Sequence, residues 1–222
     1  MKNCCKSSKK DKKCIRKKDR KTFKLPRKFS KKKCTKGKVK GFTMRSSCAP
    51  YKFCKKGGSL NNNINGICVM EPNKKIKKNN VKGIINLIDK GENIEIKYEF
   101  DNLKKGYHGF HIHEYGDLTD GCKSAGSHFS LNKNHKHGSK KDNKKHNGDL
   151  GNVYCKSGKK CKGKMIVSSK QITLRNKKNN ILGRSFVIHK EKDDLGKGGN
   201  EESLKTGNAG ARLACGVIGL KK

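Results

Sequence analysis

The sequence predicts an all-β domain, a sandwich or barrel with some long loops, and three observations carry that prediction. From about Gly66 onward, short apolar or alternating runs recur: "GICVM", "VKGIINLI", "IEIKYEF", "MIVSS", "QITLR", "SFVIH" and "GVIGL". Clusters of Gly, Asn, Asp and Lys, which favour turns, separate them. No stretch sustains the 3.6-residue apolar stripe of an amphipathic helix.

The chain before Gly66 reads differently. Residues 1–60 hold 24 Lys and Arg against 2 Asp and Glu, a net +22 within a total of +39; the other 162 residues hold 33 against 16. A segment of such uniform charge repels itself and has little to bury. Residues 1–63 are therefore expected to form a mostly disordered basic arm, with some short structure near "CAPYKFC" and a linker at Asn61–Asn65. Such an arm is either a solvated tail or a chain drawn to a polyanion: nucleic acid, glycan or an anionic membrane surface. No zinc finger or other base-reading motif accompanies the charge, which disfavours sequence-specific DNA recognition.

No apolar run approaches the roughly 20 residues of a membrane helix. The opening "MKNCCKSSKKDKKC" has neither the apolar stretch of a secretory signal nor the amphipathic stripe of a transit peptide. The expected location is cytoplasmic, with nuclear or particle-associated attachment through the arm as a variant.

Of eleven cysteines, seven (Cys4, Cys5, Cys14, Cys34, Cys48, Cys54, Cys68) lie in the arm or at its junction with the domain, and none forms a CxxC pair. Cys155 and Cys161 flank "KSGKK", which reads as a hairpin turn; they either bridge two strands or stay free thiols.

Within the domain, "IEIKYEF" places Ile94, Ile96, Tyr98 and Phe100 on one face and Glu95, Lys97 and Glu99 on the other, the period of a half-buried strand. Two interruptions, roughly Glu114–Asn147 and Lys190–Arg212, are too long for ordinary connections, so they are expected to be functional. Seven of the eight histidines (His108, His111, His113, His128, His135, His137, His146) fall between Lys104 and Asn147; His189 is the eighth, and Asp149 lies three beyond His146. Isolated histidines are usually surface or core residues, but seven so close together point to a metal that orders the loop. In "HIH", His111 and His113 share one face of a strand and can reach one ion. An all-histidine set suits copper or zinc, and a set with one carboxylate suits zinc. The close-spaced candidates include no thiolate, which argues against an iron–sulfur or Cys4 zinc site.

The stretches "GFHIHEYGD", "GCKSAGSHF", "HNGDLGNV" and "GRSFVIHKEKDDLGKGGNEESLKTGNAGARLACGVIG" together resemble the copper/zinc superoxide dismutases, over about Gly66 to Leu220. The resemblance leaves the arm unmatched. It implies an eight-stranded Greek-key β-barrel, a flattened sandwich with two long functional loops, and a homodimer formed through Gly216–Leu220, Leu182–Gly183 and Tyr115–Gly116. It also implies copper ligands His111, His113 and His189, with His128 bridging copper to zinc. His137, His146 and Asp149 match the remaining zinc ligands. Here the step from His128 to His137 is one longer than in the family, so His135 is a rival; "KHG" and the step to His146 favour His137. His108 matches a structural histidine. Asp193 matches a carboxylate that accepts hydrogen bonds from one copper-ligand and one zinc-ligand histidine.

Cys122 and Cys215 match the family's intrachain disulfide, worth about 4–5 kcal/mol in a chain-entropy estimate, and Cys68 is expected to be a buried free thiol. Arg212 matches the guanidinium that docks the superoxide anion, and His128 the residue that takes and returns a proton. Thr206 matches the hydroxyl that narrows the channel, and Lys205, Glu201 and Glu202 match its charged rim. The implied activity is conversion of superoxide to dioxygen and hydrogen peroxide, with copper as the redox centre and zinc structural. The alternative is a catalytically inactive metal-binding homologue acting through a polyanion-binding arm; retention of every ligand and of Arg212 favours the enzyme.

Overall fold

The computed structural model describes residues 3–7, 10–16, 20–36, 40–51, 54 and 63–222. The chain divides into two compact units, residues 1–61 and 62–222.

The first unit corrects the expectation of a disordered arm. Strands β1 (Lys13–Ile15) and β2 (Thr22–Lys24) pair antiparallel, and two short helices follow, α1 (Lys31–Lys36) and α2 (Phe42–Cys48). Three disulfides tie these pieces together: Cys4–Cys14, Cys5–Cys54 and Cys34–Cys48. Cys4, Cys14, Cys34, Cys48 and Tyr51 are buried, with Phe23, Leu25, Phe29 and Met44 packed against them. Charge counting misses this because bridges constrain the unfolded chain and so offset a lack of apolar surface. Six of the seven cysteines read as lying in the arm or at its junction are those six partners.

The second unit is built from β3 (Ile64–Pro72), β4 (Lys82–Asp89), β5 (Asn93–Asp101), β6 (Gly106–His113), β7 (Asp149–Cys155), β8 (Lys160–Ser168), β9 (Ser185–His189) and β10 (Arg212–Val217). They hydrogen-bond in the order β7-β6-β9-β10-β3-β4-β5-β8, and a two-residue β11 (Gly219–Leu220) continues β10 along β3. This is the eight-stranded antiparallel barrel expected. Its two terminal strands, β7 and β8, are consecutive in sequence, and the Cys155–Cys161 disulfide joins them with a Cα–Cα distance of 5.0 Å. The seam that backbone pairing leaves open is therefore stapled covalently.

Alternation explains the core. Ile94, Ile96 and Phe100 of β5 are fully buried and Tyr98 is half-buried. The outward Glu95 and Glu99 pair with Lys90 and Lys162 at 2.6 and 2.8 Å. Each buried isoleucine contributes about 1.5–3 kcal/mol relative to exposure. Phe110 stacks on Phe186 with ring centroids 5.0 Å apart, and Phe100 meets Phe110 edge-on at 5.9 Å. Gly216 lets β10 approach β3: a Cβ there would lie 1.9 Å from the Val69 carbonyl oxygen. Cys68 is free and buried, and burial pushes its thiol up to about 12, leaving it inert.

At one end of the barrel the fully buried Asp89 carboxylate accepts from the Thr173 hydroxyl (2.6 Å), the Leu174 and Gly91 amides (2.9 and 2.8 Å) and Arg175 Nε (3.1 Å). Burial raises its pKa, but these donors outweigh that and hold it below the usual carboxylate range.

Two long loops leave this frame, one between β6 and β7 and one between β9 and β10. The second contains a short helix, α3 (Glu201–Thr206). The Cys122–Cys215 disulfide fastens the first loop to β10 across 93 residues.

Candidate metal centre

Strand geometry supplies the first ligands. His111 and His113 project from β6, and β6 pairs with β9, whose last residue is His189. Asp149, the first residue of β7, stands opposite His111. The first long loop returns to the sheet where His128 bridges to His113, and the His137 amide donates to the Leu204 carbonyl at 2.7 Å.

Two groups of donors result. One nitrogen from each of His111, His113, His128 and His189 lies within 4.8 Å of those of the others, and all four side chains are buried. In each, one ring nitrogen is anchored. His111 Nε2 donates to Asp193 Oδ2 (2.9 Å), His113 Nδ1 to the Gly126 carbonyl (2.8 Å) and His189 Nδ1 to the Gly210 carbonyl (3.1 Å), while His128 Nδ1 lies 2.8 Å from Asp149 Oδ1. The other nitrogens, His111 Nδ1, His113 Nε2, His128 Nε2 and His189 Nε2, are buried without a hydrogen-bond partner. Unpaired buried nitrogens are costly; four in one cluster form a set that a soft-to-borderline cation would satisfy.

The second group is His128, His137, His146 and Asp149. Their Nδ1 atoms lie 2.8, 2.9 and 3.3 Å from a single oxygen, Asp149 Oδ1, and His137 Nδ1 is 3.2 Å from His128 Nδ1. A tetrahedron with zinc bonds of about 2.0–2.1 Å has edges of about 3.3 Å, so the donors already stand close to zinc spacing. Asp149 Oδ2 accepts from the amides of Gly138 (3.2 Å) and His146 (3.0 Å), which aims Oδ1 at the imidazoles. His135 lies outside this group, with its Nδ1 on the Lys145 carbonyl at 2.9 Å. Both ring nitrogens of His108 lie against carbonyls, those of His189 and Lys104, and it stands outside both donor groups.

The electrostatics follow from this packing. Burial, with neighbouring histidines, drives His111 and His113 well below their ordinary pKa and takes His189 down to about 3. Burial also lowers His128, against the pull of Asp149. Burial lowers His137 too, but hydrogen bonds to Asp149 and Asp193 outweigh it and push the imidazole up to about 9. Burial raises Asp149, yet its three histidines hold it far below the carboxylate range.

Asp193, fully buried, joins the groups: Oδ2 accepts from His111 Nε2 and Oδ1 from His137 Nε2 at 2.8 Å. Asn152 clamps it from both sides, accepting from the Asp193 amide and donating to its carbonyl, each at 2.8 Å. Sequence reading missed Asn152, which sits in an ordinary strand pattern. Gly207 caps α3 at φ +71, and a Cβ there would fall 2.1 Å from Asp193 Oδ1.

A cavity of about 810 Å³ opens above these groups, with His128, His146 and Arg212 among its walls and Glu201, Lys205 and Thr206 at its side. Arg212 Nη1 donates to the Cys122 carbonyl at 2.8 Å, so the disulfide positions the guanidinium. Lys205 pairs with Glu201 at 2.6 Å, and the Thr206 hydroxyl donates to Glu202 at 2.6 Å.

The family model for copper/zinc superoxide dismutase (SODC) matches residues 81–218. The chain belongs to the copper/zinc superoxide dismutase family. It is 45% identical over 158 residues to superoxide dismutase [Cu-Zn] A of Xenopus laevis, covering 70% of this chain and 97% of that one. It is 45% identical over 161 residues to superoxide dismutase [Cu-Zn] 5 of Dictyostelium discoideum, covering 72% and 99%. An extracellular superoxide dismutase [Cu-Zn] of Haemonchus contortus is 46% identical over 138 residues, covering 62% and 73%. Copper and zinc are the metals of this superoxide dismutase family, and the two donor groups suit one of each.

Proposed function

We propose that His111, His113, His128 and His189 hold copper, that His128, His137, His146 and Asp149 hold zinc, and that the chain uses them to dismute superoxide. The observation that carries this is the set of four buried, unpartnered imidazole nitrogens converging beside a carboxylate-centred triad of Nδ1 atoms. When bound, copper supplies the one-electron exchange by which one superoxide is oxidised to dioxygen and a second, with two protons, is reduced to hydrogen peroxide. Zinc has no redox chemistry and orders the loop.

The chain's own residues do the rest. Arg212 presents a guanidinium to the anion at the cavity wall. His128, shared by both groups, holds and returns a proton at Nε2. Asp193 keeps the tautomers of His111 and His137 by taking their Nε2 protons in hydrogen bonds. Lys205, Glu201, Glu202 and Thr206 shape the rim. All these groups are present, so an inactive homologue is not favoured. The test is metal analysis with a superoxide consumption assay, comparing the metal-loaded chain with R212A. Two metals per chain and a rate that falls at least tenfold in the variant are expected; an inactive, fully loaded chain would overturn the reading.

The same reading extends to assembly and location. Val69 stands opposite Ile84, and both are exposed apolar residues, as are Tyr115, Val217 and Leu220. Gly116 packs against the Gly183 carbonyl and Val217, so the family's contact residues are contiguous. A symmetric homodimer would bury them, and sedimentation at micromolar concentration tests it. The first unit's basic surface supports attachment to a polyanion. Its described cysteines are all in bridges, which supports an oxidising compartment rather than the cytoplasmic location expected from sequence. No helix among the described residues is long and apolar enough to cross a membrane.

A further inference from the structure

One corner of the barrel has a chemistry that neither the metal centre nor the dimer face uses. Tyr107 on β6 and Tyr154 on β7 stand directly opposite each other, 52% and 44% exposed, with ring centroids 4.7 Å apart and planes tilted by 46°. The residues beside them, His108 and Val153, are buried. Alternation therefore turns both rings outward, where they support no core packing. Lys192 Nζ hangs 5.6 Å from the Tyr107 ring centroid.

More lysines surround the pair. The β7–β8 turn carries Lys156 and Lys159, both exposed. The Lys159 carbonyl accepts from the Asn102 amide at 2.9 Å, and a Cβ on Gly158 would lie 3.8 Å from the Lys105 nitrogen and 4.0 Å from Lys104 Cα. Lys104 and Lys105, also exposed, thus sit against the turn. Lys162, farther along β8, is neutralised by Glu99. Cys155–Cys161 closes this turn and holds the corner rigid, which lowers the entropic cost of docking.

We propose that this corner is a docking surface for a sulfated polysaccharide. Two outward aromatic faces can lie against the apolar faces of successive sugar rings, while the lysines meet their sulfates. All five cations are lysine. Arginine's planar fork is the usual choice where nucleic acid is recognised, whereas sulfates along a flexible chain need charge at several points. The bridges of both units favour an oxidising compartment, where sulfated glycans abound and nucleic acid is scarce. This surface belongs to the second unit alone, and its test reports on position.

Lysine acetylation of the full chain, with and without a size-defined heparin oligosaccharide, should show protection at Lys104, Lys105, Lys156 and Lys159. The double variant Y107A/Y154A, which leaves charge unchanged, should bind the oligosaccharide about fivefold or more weakly, taking two aromatic contacts at their usual worth. It should bind inorganic polyphosphate, which has no rings, as before, and keep its superoxide rate. Protection confined to residues before 62 would overturn the proposal while sparing attachment through the first unit. Equal weakening toward polyphosphate would overturn the stacking. Protection of Lys104, Lys105, Lys156 and Lys159 by an oligothymidylate but not by the heparin oligosaccharide would overturn the proposal and assign the corner to nucleic acid instead. The footprint needs no variant, so a misfolded double variant leaves the proposal testable.

Discussion

Titrating the metal-free protein with zinc in weak buffer at pH 7 should release close to one proton per site, and the number follows from His137. That imidazole lies between two carboxylates, Asp149 at 2.9 Å from Nδ1 and Asp193 at 2.8 Å from Nε2, and is pushed up to about 9. At pH 7 it carries both protons. Zinc takes the Nδ1 lone pair, so one proton must leave. The apparent zinc affinity should then rise about tenfold per pH unit between pH 6.5 and 8.5, about 2.7 kcal/mol across the two units at 1.36 kcal/mol each, and level off above 9. The copper donors behave differently. Burial holds His111 and His113 well below neutrality and His189 near about 3, so these three enter neutral and release nothing, and the one proton that copper displaces is that of His128, which must give up its ring proton to bind both metals. Calorimetry in two buffers of different ionisation enthalpy counts the protons, first for zinc and then for copper added to the zinc-filled protein. Zinc uptake without proton release at pH 7, or copper uptake releasing more than the one proton of His128, would refute the reasoning. The same shifts set the stability of the metal-free fold. His137 is raised when folded, so its contribution is full below pH 6.5 and is lost as pH rises through 9. The four depressed histidines, His111, His113, His128 and His189, make the fold lose stability as pH falls below 6.5. Maximum stability near pH 6.5 is expected, with zinc removing the alkaline loss.

Three further outcomes are expected. Replacing both Cys155 and Cys161 by Ser opens the barrel seam; a loop this short gives about 2–3 kcal/mol by chain entropy, so Tm should fall by roughly 4–10 °C with the rate per copper unchanged. G207A places a methyl group on the Asp193–His137 hydrogen bond, and zinc affinity should drop about 10–100-fold, the usual effect of disturbing a ligand's support, measured by competition with a chelator. D89N removes the buried carboxylate that the Thr173 hydroxyl, the Leu174 amide and Arg175 Nε share and sets an amide among these donors; a loss of about 3–5 kcal/mol in urea unfolding is expected, with metal content intact.

Much of the barrel was legible because alternation is a local property. "IEIKYEF" announces β5 without any knowledge of its partners, and "HIH" puts two imidazoles on one face by strand geometry alone. The first unit was not legible in the same way. Its charge is a sum over residues, whereas its order rests on which cysteine meets which, and pairing is not written in spacing. Cys155 and Cys161 show the intermediate case: the turn between them allowed a bridge, and only the position of β7 and β8 as the two ends of the strand order gives it a purpose. The placement of His137, rather than His135, among the grouped donors is likewise set far away, by the Leu204 carbonyl and the Asp193 carboxylate, both in the second long loop.

That remote decision also explains why the two donor groups behave as one construction. Asp193 binds His111 with one oxygen and His137 with the other, so a displacement of this carboxylate disturbs both groups. Its position depends on Asn152 in β7 and on the Leu195 amide, which donates to Oδ1 at 2.7 Å. The next residue in the loop, Asp194, accepts from Ser203 in α3 and from Asn208 just beyond it. The rim helix that carries Glu201, Lys205 and Thr206 is thus tied through two adjacent aspartates to the donor groups beneath it. A cation that fixes His137 fixes Asp193 and, through the loop, the rim of the cavity. The second donor group can in this way govern the shape of the cavity rim, helped by the direct hydrogen bond from the His137 amide to the Leu204 carbonyl in the rim helix. Arg212 is held by a different route, through the Cys122 carbonyl and the disulfide to Cys215. Two independent tethers, one ionic and one covalent, therefore converge on the same opening, and each can be broken experimentally without the other.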